Sequence, residues 1–406
     1  MRTGVDHPRS ATREAVGPAA RPAAGLRRRP RHPPPWGAIA QQVAAIALVA
    51  AGLAYLGGNV ARNLAASGMA VDFGFLSQEA GFAMSFSLIP MDETASYGRV
   101  FVAGILNTLF IAGLALVTAT ALGLAVGFAR LSPLGPLRQA AGIYVETLRN
   151  LPLLLILIFV QSVALRSLPV VREAVSVGGV VHLSNRGIYL PWPAADQSLM
   201  PAGLAAALGL IGLGIAWSLR PRTPARSPRD LAGAVGGLGL AVAALVAAAR
   251  MLDWERPELQ GFDFRGGAKL MPEFVALLTA LTLYNAAFIA EIVRAGLQSV
   301  DRGQVEAARA LGLRDGFIRR RIVLPQALRL MVPPLTNQYV HLVKASSLAT
   351  VVGFPDLVAV FLGTSLNQTG RAVEIVAMTG AVYLVLCLGL GALSAAWNAR
   401  VAVRER

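Results

Sequence analysis

The sequence predicts an all-α, polytopic transmembrane helical bundle of about eight spans, with both termini cytoplasmic. Three observations lead there. Of 406 residues, 55% are hydrophobic before 41 glycines are counted and only 15% are charged, so the apolar share reaches about 65%, against about 45–50% in soluble domains. Uncharged runs recur at close to the ~20 residues that cross a hydrocarbon core. Basic residues gather in alternate connections between those runs. A mean hydropathy of +0.57 argues against a disordered chain, a disulfide scaffold and an ordinary cytosolic enzyme.

Residues 1–35 are rich in Arg, Pro and Ala, with Arg27, Arg28, Arg29 and Arg31 leading into Pro33, Pro34 and Pro35. That composition buries no core. It reads as a disordered cytoplasmic tail before an uncleaved first span, in preference to a signal-peptide n-region, because no A-x-A site closes the apolar run.

The expected spans cover 36–57, 100–129, 139–165, 200–218, 231–250, 271–292, 327–351 and 375–397. Each is expected to be a helix, since backbone facing lipid must satisfy its own hydrogen bonds. The third, sixth and seventh carry polar residues and fit a simple span least well. Gly123 and Gly127, and again Gly233 and Gly237, stand four apart. That spacing suits close helix packing in lipid, although a chain this rich in glycine also produces it by chance. The pair of spans at 200–250, joined through Arg220, Pro221, Arg222 and Pro224, reads as an inserted hairpin.

The net charge of +15 would suit nucleic acid, but the arginines flank apolar segments and form no stripe or RNA-binding signature. With the N-terminus inside, the inner segments hold 24 Lys and Arg and the outer loops 9, which places both termini in the cytoplasm. The single Cys387 lies in an apolar run and reads as a small core residue. No G-x-x-x-x-G-K-[ST] loop, Ser/His/Asp set or metal-ligand spacing occurs; His7, His32, His182 and His341 are scattered. No catalytic residue, metal or cofactor is expected in this chain.

The informative stretch is the largest inner connection. Glu306, Ala307, Ala308, Arg309, Ala310 and Leu311 are strong helix formers, and Gly312 supplies the left-handed residue that ends a helix. Ala307 and Ala308 would leave that helix nearly bare. A bare helix end with one carboxylate suits a groove on a soluble partner; the plainer reading is an interfacial loop touching anionic lipid.

Glu306-Ala307-Ala308, then Gly312, then Ile322 and Leu324-Pro325 resembles the EAA loop of ABC importer membrane subunits. The resemblance continues through Leu106-Asn107-Thr108-Leu109 and the stretch from Gly127 through Arg130 to Ser132. It extends to Glu146-x-x-Arg149-x-x-Pro152 and to the run from Tyr284 through Glu291 and Arg294 to Gly296. These match polar-amino-acid permeases. Asn337-Gln338-Tyr339 and Leu366-Asn367-Gln368-Thr369-Gly370 resemble the longer general L-amino-acid permeases of Gram-negative bacteria. One departure stands out: Ala345 replaces an amide in Lys344-Ala345-Ser346-Ser347-Leu348.

The resemblance implies a type I ABC importer core with a coupling loop at 300–326, in which Glu306, Ala307, Ala308, Gly312, Leu324 and Pro325 engage a cytoplasmic ATPase dimer. The implied partners are a second permease subunit (a heterodimer, or the chain itself), a periplasmic amino-acid-binding protein, the L-amino acid substrate and membrane lipid. ATP hydrolysis then belongs to a partner chain. An ATP-independent secondary transporter or channel remains the competing class, although the inverted repeats common there are not detected.

Charges inside membrane helices are costly and call for a role. Glu146 and Arg149 are three apart and read either as an ion pair setting the break at Pro152 or as substrate contacts. Glu291 and Arg294 repeat the spacing and read as a structural pair. Tyr284, Asn337, Lys344, Ser346 and Ser347 are the remaining pathway candidates. Pro333 and Pro334 are expected to bend the seventh helix before Lys344. For Asn107, Thr108, Gln161 and Tyr284, helix-to-helix hydrogen bonding is the preferred reading.

Overall fold

The computed structural model describes residues 36–66, 71–194 and 251–401, with 239, 242–244, 246, 247 and 250 between them. The expected tail at 1–35, the span at 200–218, the Gly233/Gly237 pair and most of 231–250 lie outside the described residues.

Two units are distinguished, with a division after Val71. In the first, Trp36–Ala66 forms one helix, α1. The second is built on α2, Tyr97–Arg130, capped by Ser96, whose side chain accepts from the Arg99 amide. Its twelve buried positions run from Tyr97 to Gly127 and are mostly small, so other helices can approach its backbone. The nearest is α5, Pro272–Gln298. A Cβ on Gly123 would lie 2.6 Å from Ile289 Cγ2, and one on Gly127 3.0 Å from Val293 Cβ. The four-residue glycine spacing is thus the α2–α5 contact itself.

The segment expected as one span at 139–165 is bent. Helix α3, Gly135–Asn150, and helix α4, Leu153–Ile158, meet at 106°. The cause is local: Leu151 and Pro152 are extended, with Pro152 at φ −61° and ψ 134°, because a proline disfavours the α conformation in the residue before it. A π-helical stretch, Phe159–Leu165, follows α4.

The fold is mostly helical, yet the all-α expectation needs correction. Among the described residues, eight short strands lie in two stretches: β1 Val175–Val177, β2 Val181–Ser184, β3 Gly187–Leu190 and β4 Trp192–Pro193 before residue 195, then β5 Trp254–Glu255, β6 Glu258–Gln260, β7 Asp263–Arg265 and β8 Ala268–Leu270 after residue 250. They form an antiparallel sheet in the order β1-β2-β3-β8 and the pairs β4-β5 and β6-β7. Strands of two to four residues are too short for alternation to show in sequence.

After α5 come α6, Arg302–Ala310, and α7, Asp315–Ile318, then a π-helical turn, Arg319–Val323, and α8, Leu324–Ala345. Helix α8 runs on through Pro333 and Pro334 without interruption, although those residues deny Arg329 and Leu330 their usual donors. It ends six residues short of the expected 351, passing into a 3₁₀ turn, Ser346–Leu348, and α9, Ala349–Val352. A second π-helical stretch, Val358–Ser365, leads to α10, Leu366–Thr369, and to α11, Ala372–Val401. Cys387 is half-buried on α11.

Among the described residues, four helices are long and apolar enough to cross a membrane, at 39–63, 97–129, 272–298 and 372–397, and the bent α3–α4 pair makes a fifth. Helix α8 is helical as expected but too polar to meet that measure.

Candidate functional site

The inner connection forms a fixed helical knob. Asp301 caps α6, accepting from the Gly303 amide at 3.0 Å. At the other end Gly312 takes φ +75°. The Gly312 amide donates to Arg309 O at 2.8 Å and the Leu313 amide to Ala308 O at 3.1 Å, the two bonds of a Schellman motif. The helix begins at Arg302, four residues before the expected 306, because Asp301 provides the cap.

The knob is tied back at two points. Gln326 Nε2 donates to Gln304 Oε1 at 2.6 Å, joining it to the first turn of α8, where Leu324 and Pro325 stand exposed. Arg309 Nε donates to Asp315 Oδ1 at 3.0 Å. Ala308 corrects the expectation of a bare pair: it is buried, and Ala307, Ala310 and Leu311 form the open face instead. Leu311 is 80% exposed, with Glu306 beside it. Residues 307, 310 and 311 share one helix face, and 308 is turned to the body.

The charged residues of the core divide differently from their spacing. Glu291 and Arg294 do pair, Arg294 Nε donating to Glu291 Oε2 at 3.0 Å. Arg130, at the end of α2, also bonds Glu291, and Arg294 bonds Gln298. Glu146 and Arg149 do not pair. The Glu146 side chain is 75% exposed and approaches Arg130 at 3.9 Å, while the Arg149 guanidinium lies 5.3 Å from the Phe288 ring centroid. The bend begins just after Arg149 and aims it across at α5. The partner of Glu291 from α2 was not visible as a spacing, since it is 161 positions away.

The pathway candidates are dispersed. Tyr284 packs against Phe288 at 4.9 Å and His341 at 6.2 Å between centroids. With Arg149 these rings make a strip from α3 across α5 to α8. Asn337 and Lys344 are exposed, and Lys344 lies in the last turn of α8, past mid-span. Ser346 is buried and donates to Val343 O at 2.8 Å; Ser347 donates to Lys344 O at 2.7 Å. Both hydroxyls are thus turned onto their own helix end.

Sequence reasoning missed the polar joints of the core. Asn285 is buried and accepts from Gln338 Nε2 at 2.7 Å, linking α5 to α8. Thr118 meets Thr282 at 2.7 Å and Thr120 meets Tyr339 at 3.0 Å. Asp356, fully buried, accepts from the Ala359 amide at 2.8 Å and faces Tyr383. Asn107 donates to Phe86 O and Pro355 O, and Thr108 accepts from the Leu357 amide. Asn107 thus bonds carbonyls outside the helices, not another helix as expected, and buried Gln161 Oε1 has no partner among the described residues. No cluster of three metal-ligating side chains occurs among the described residues.

On the strands, Tyr189 and Lys269 both donate to Asp263, Lys269 at 3.1 Å. Burial pushes the Asp263 carboxyl up, but bonds from Tyr189, Lys269 and the Phe264 amide outweigh it and hold its pKa below the usual value. Burial works the other way on Lys269, and Asp263 and Tyr189 overcome it to raise the ammonium. Burial and the bond to Asp263 raise the Tyr189 phenol.

Comparison with known proteins shows the family. Residues 260–403 match the family described as binding-protein-dependent transport system inner membrane component. The chain is 43% identical to the putative amino-acid ABC transporter permease protein YhdX of Escherichia coli (strain K12), over 90% of this chain and 94% of that one. It is 39% identical to the general L-amino acid transport system permease protein AapQ of Rhizobium johnstonii, over 92% and 94%. A third relative is the glutamate/glutamine/aspartate/asparagine transport system permease protein BztB of Rhodobacter capsulatus, at 37% over 90% and 93%. All three are named as permeases, the first as an ABC transporter component, which decides against the ATP-independent class. Identity of this order along nearly the whole length means that the chain belongs to the family of amino-acid ABC transporter permeases, the multi-pass membrane components of binding-protein-dependent transport systems.

Proposed function

We propose that this chain carries L-amino acids, handed over by a periplasmic binding protein, across the bacterial inner membrane, driven by a cytoplasmic ATPase dimer seated on α6. The observation that carries the reading is the knob. A nine-residue helix, closed at both ends, braced at Gln326 and Asp315, and bare on the face of Ala307, Ala310 and Leu311, transmits a push without flexing. Glu306 offers that face a charge for a partner cation, and Pro325 with Leu324 starts α8 from its base. Closure of the ATPase draws two such knobs together and opens the outer side; hydrolysis resets the bundle inward.

In this reading the chain pairs with a second permease subunit, as its length resembles the heterodimeric systems, and ATP chemistry belongs to the partner. Eight spans with both termini cytoplasmic, arranged on a type I core, suit the distribution of arginines. The Arg149, Phe288 and Tyr284 strip offers one cation and two ring faces to a zwitterion, with Asn337 and Lys344 on the following helix.

Glu306→Lys and Gly312→Asp test the reading. The expected result is loss of ATP-dependent amino-acid uptake in proteoliposomes and loss of ATPase co-purification, with membrane insertion unchanged. Uptake at the parental rate in both variants would overturn it.

A further inference from the structure

Beside the knob, a chamber of about 870 Å³ opens between the last turns of α2, the end of α5 and the π-helical turn at Arg319–Val323. Its size falls in the ~300–1,000 Å³ range of ligand sites. Its walls are apolar, with Phe128, Leu137 and Leu324 the largest contributors left open, at 55%, 47% and 38% exposure. Arg319 and Arg320 complete the lining. Neither has a carboxylate partner among the described residues, and the nearby acid Asp315 is engaged by Arg309. The chamber also sits at a boundary: the apolar span of α2 ends at residue 129, and Ala125, Phe128 and Ala129 line the wall.

An apolar slot that begins within a membrane helix and finishes on two uncompensated guanidiniums matches an amphiphile with an anionic head. A free anion would leave the Phe128, Leu137 and Leu324 surfaces wet, and a zwitterionic lipid would leave the arginine charge unbalanced. We propose that this chamber holds one anionic phospholipid, its phosphate against Arg319 and Arg320 and an acyl chain along Phe128, Leu137 and Leu324. Basic pockets at the ends of membrane helices recognise such head groups by charge. The lipid would then brace the π-helical turn that joins the knob to α8.

The test is native mass spectrometry of the full chain in neutral detergent, titrated separately with phosphatidylglycerol and phosphatidylcholine. The first phosphatidylglycerol is expected to bind at least about 10-fold more tightly than phosphatidylcholine and to resist millimolar inorganic phosphate. A juxtamembrane arginine contributes about five-fold to anionic lipid binding, so Arg319→Gln with Arg320→Gln should cost of the order of 25-fold. Ala125→Trp, which fills the slot and leaves both arginines in place, should also abolish the tight site. Equal affinity for the two lipids, displacement by inorganic phosphate, or undiminished phosphatidylglycerol binding in both variants would overturn the proposal. So would displacement of the lipid by the ATPase subunit, since the chamber would then belong to the docking face.

Discussion

Gly123 on α2 and Ile289 on α5 approach so closely that any side chain at 123 displaces the other: an added Cβ would lie 2.6 Å from Ile289 Cγ2 and 3.0 Å from Ala286 O. Both helices are membrane-length, and their contact holds the segment bearing Glu291 against Arg130. Overpacking a filled contact costs about 1–3 kcal/mol. Gly123→Val is therefore expected to lower the thermal midpoint in detergent by several degrees and to reduce uptake. Ile289→Ala introduced into Gly123→Ala should recover little, because Ile289 Cβ, which alanine keeps, would itself lie 2.7 Å from the added Cβ, and Ile289→Ala alone should destabilise. A stable Gly123→Val protein would show that the helices are free to separate there.

Gly312 governs how the knob ends. At φ +75° an L side chain meets its own backbone, at a cost of about 1–2 kcal/mol, which asparagine partly escapes. No heavy atom lies within 4 Å of the position where a Cβ would stand, so conformation and not space sets the penalty. Gly312→Asn is expected to keep more ATP-dependent uptake than Gly312→Ala, and Gly312→Val least. An order following side-chain volume without this advantage for asparagine would point to contact with a partner instead.

How much of this was legible in the sequence depended on the range of the interaction. The turn at Gly312 and the Glu291–Arg294 pair are settled within a few residues and stand where their chemistry requires, whereas the equally local Asp301 cap, absent from the expectation, starts α6 four residues before the expected 306. Arg130 stands within a motif, but the sequence gives no reason for it to meet Glu291, because only the α2–α5 packing brings them together. Ala308 and Ala307 are indistinguishable as letters; which one faces the body is settled by the packing of α6 against α7 and the π-helical turn. Glu146 and Arg149 had the spacing to pair, yet the bend at Pro152 and the ring of Phe288 offered Arg149 another partner. The strands were hidden for a related reason, since β3 at 187–190 pairs with β8 at 268–270, far along the chain.

Glu291 accepts from two arginines while Arg149 also acts on it through space. Removing its charge leaves those cations facing one another in a partly enclosed site. Breaking one partner of a buried pair costs about 3–5 kcal/mol, and with Glu291 at 22% side-chain exposure a loss nearer about 2 kcal/mol is expected for Glu291→Gln. Arg130→Gln should cost less, because Arg294 remains. In the double variant the two losses should fall short of additive by about 0.5–3 kcal/mol, the range for residues in direct contact. Differential scanning of the four proteins reads this directly, and strict additivity would mean that Arg130 and Glu291 are not coupled.

The strand cluster makes a prediction in pH. The Asp263 carboxyl has a pKa lowered from 3.8, so its stabilising contribution is complete above that value and is lost as pH falls through the lowered one. Lys269 is raised from 10.5 and Tyr189 from 10.0. Their contributions are complete below those values and decline as pH rises beyond them. Between about pH 5 and 9 the cluster should therefore be insensitive to pH. With Asp263 and Lys269 each more than a third exposed, solvent screening keeps their pair within about 1 kcal/mol. Wild type should melt slightly above Asp263→Asn across that plateau, and the two curves should converge below pH 3.8. Convergence at neutral pH would instead show that the carboxylate contributes nothing and that β3 and β8 depend on their backbone bonds alone.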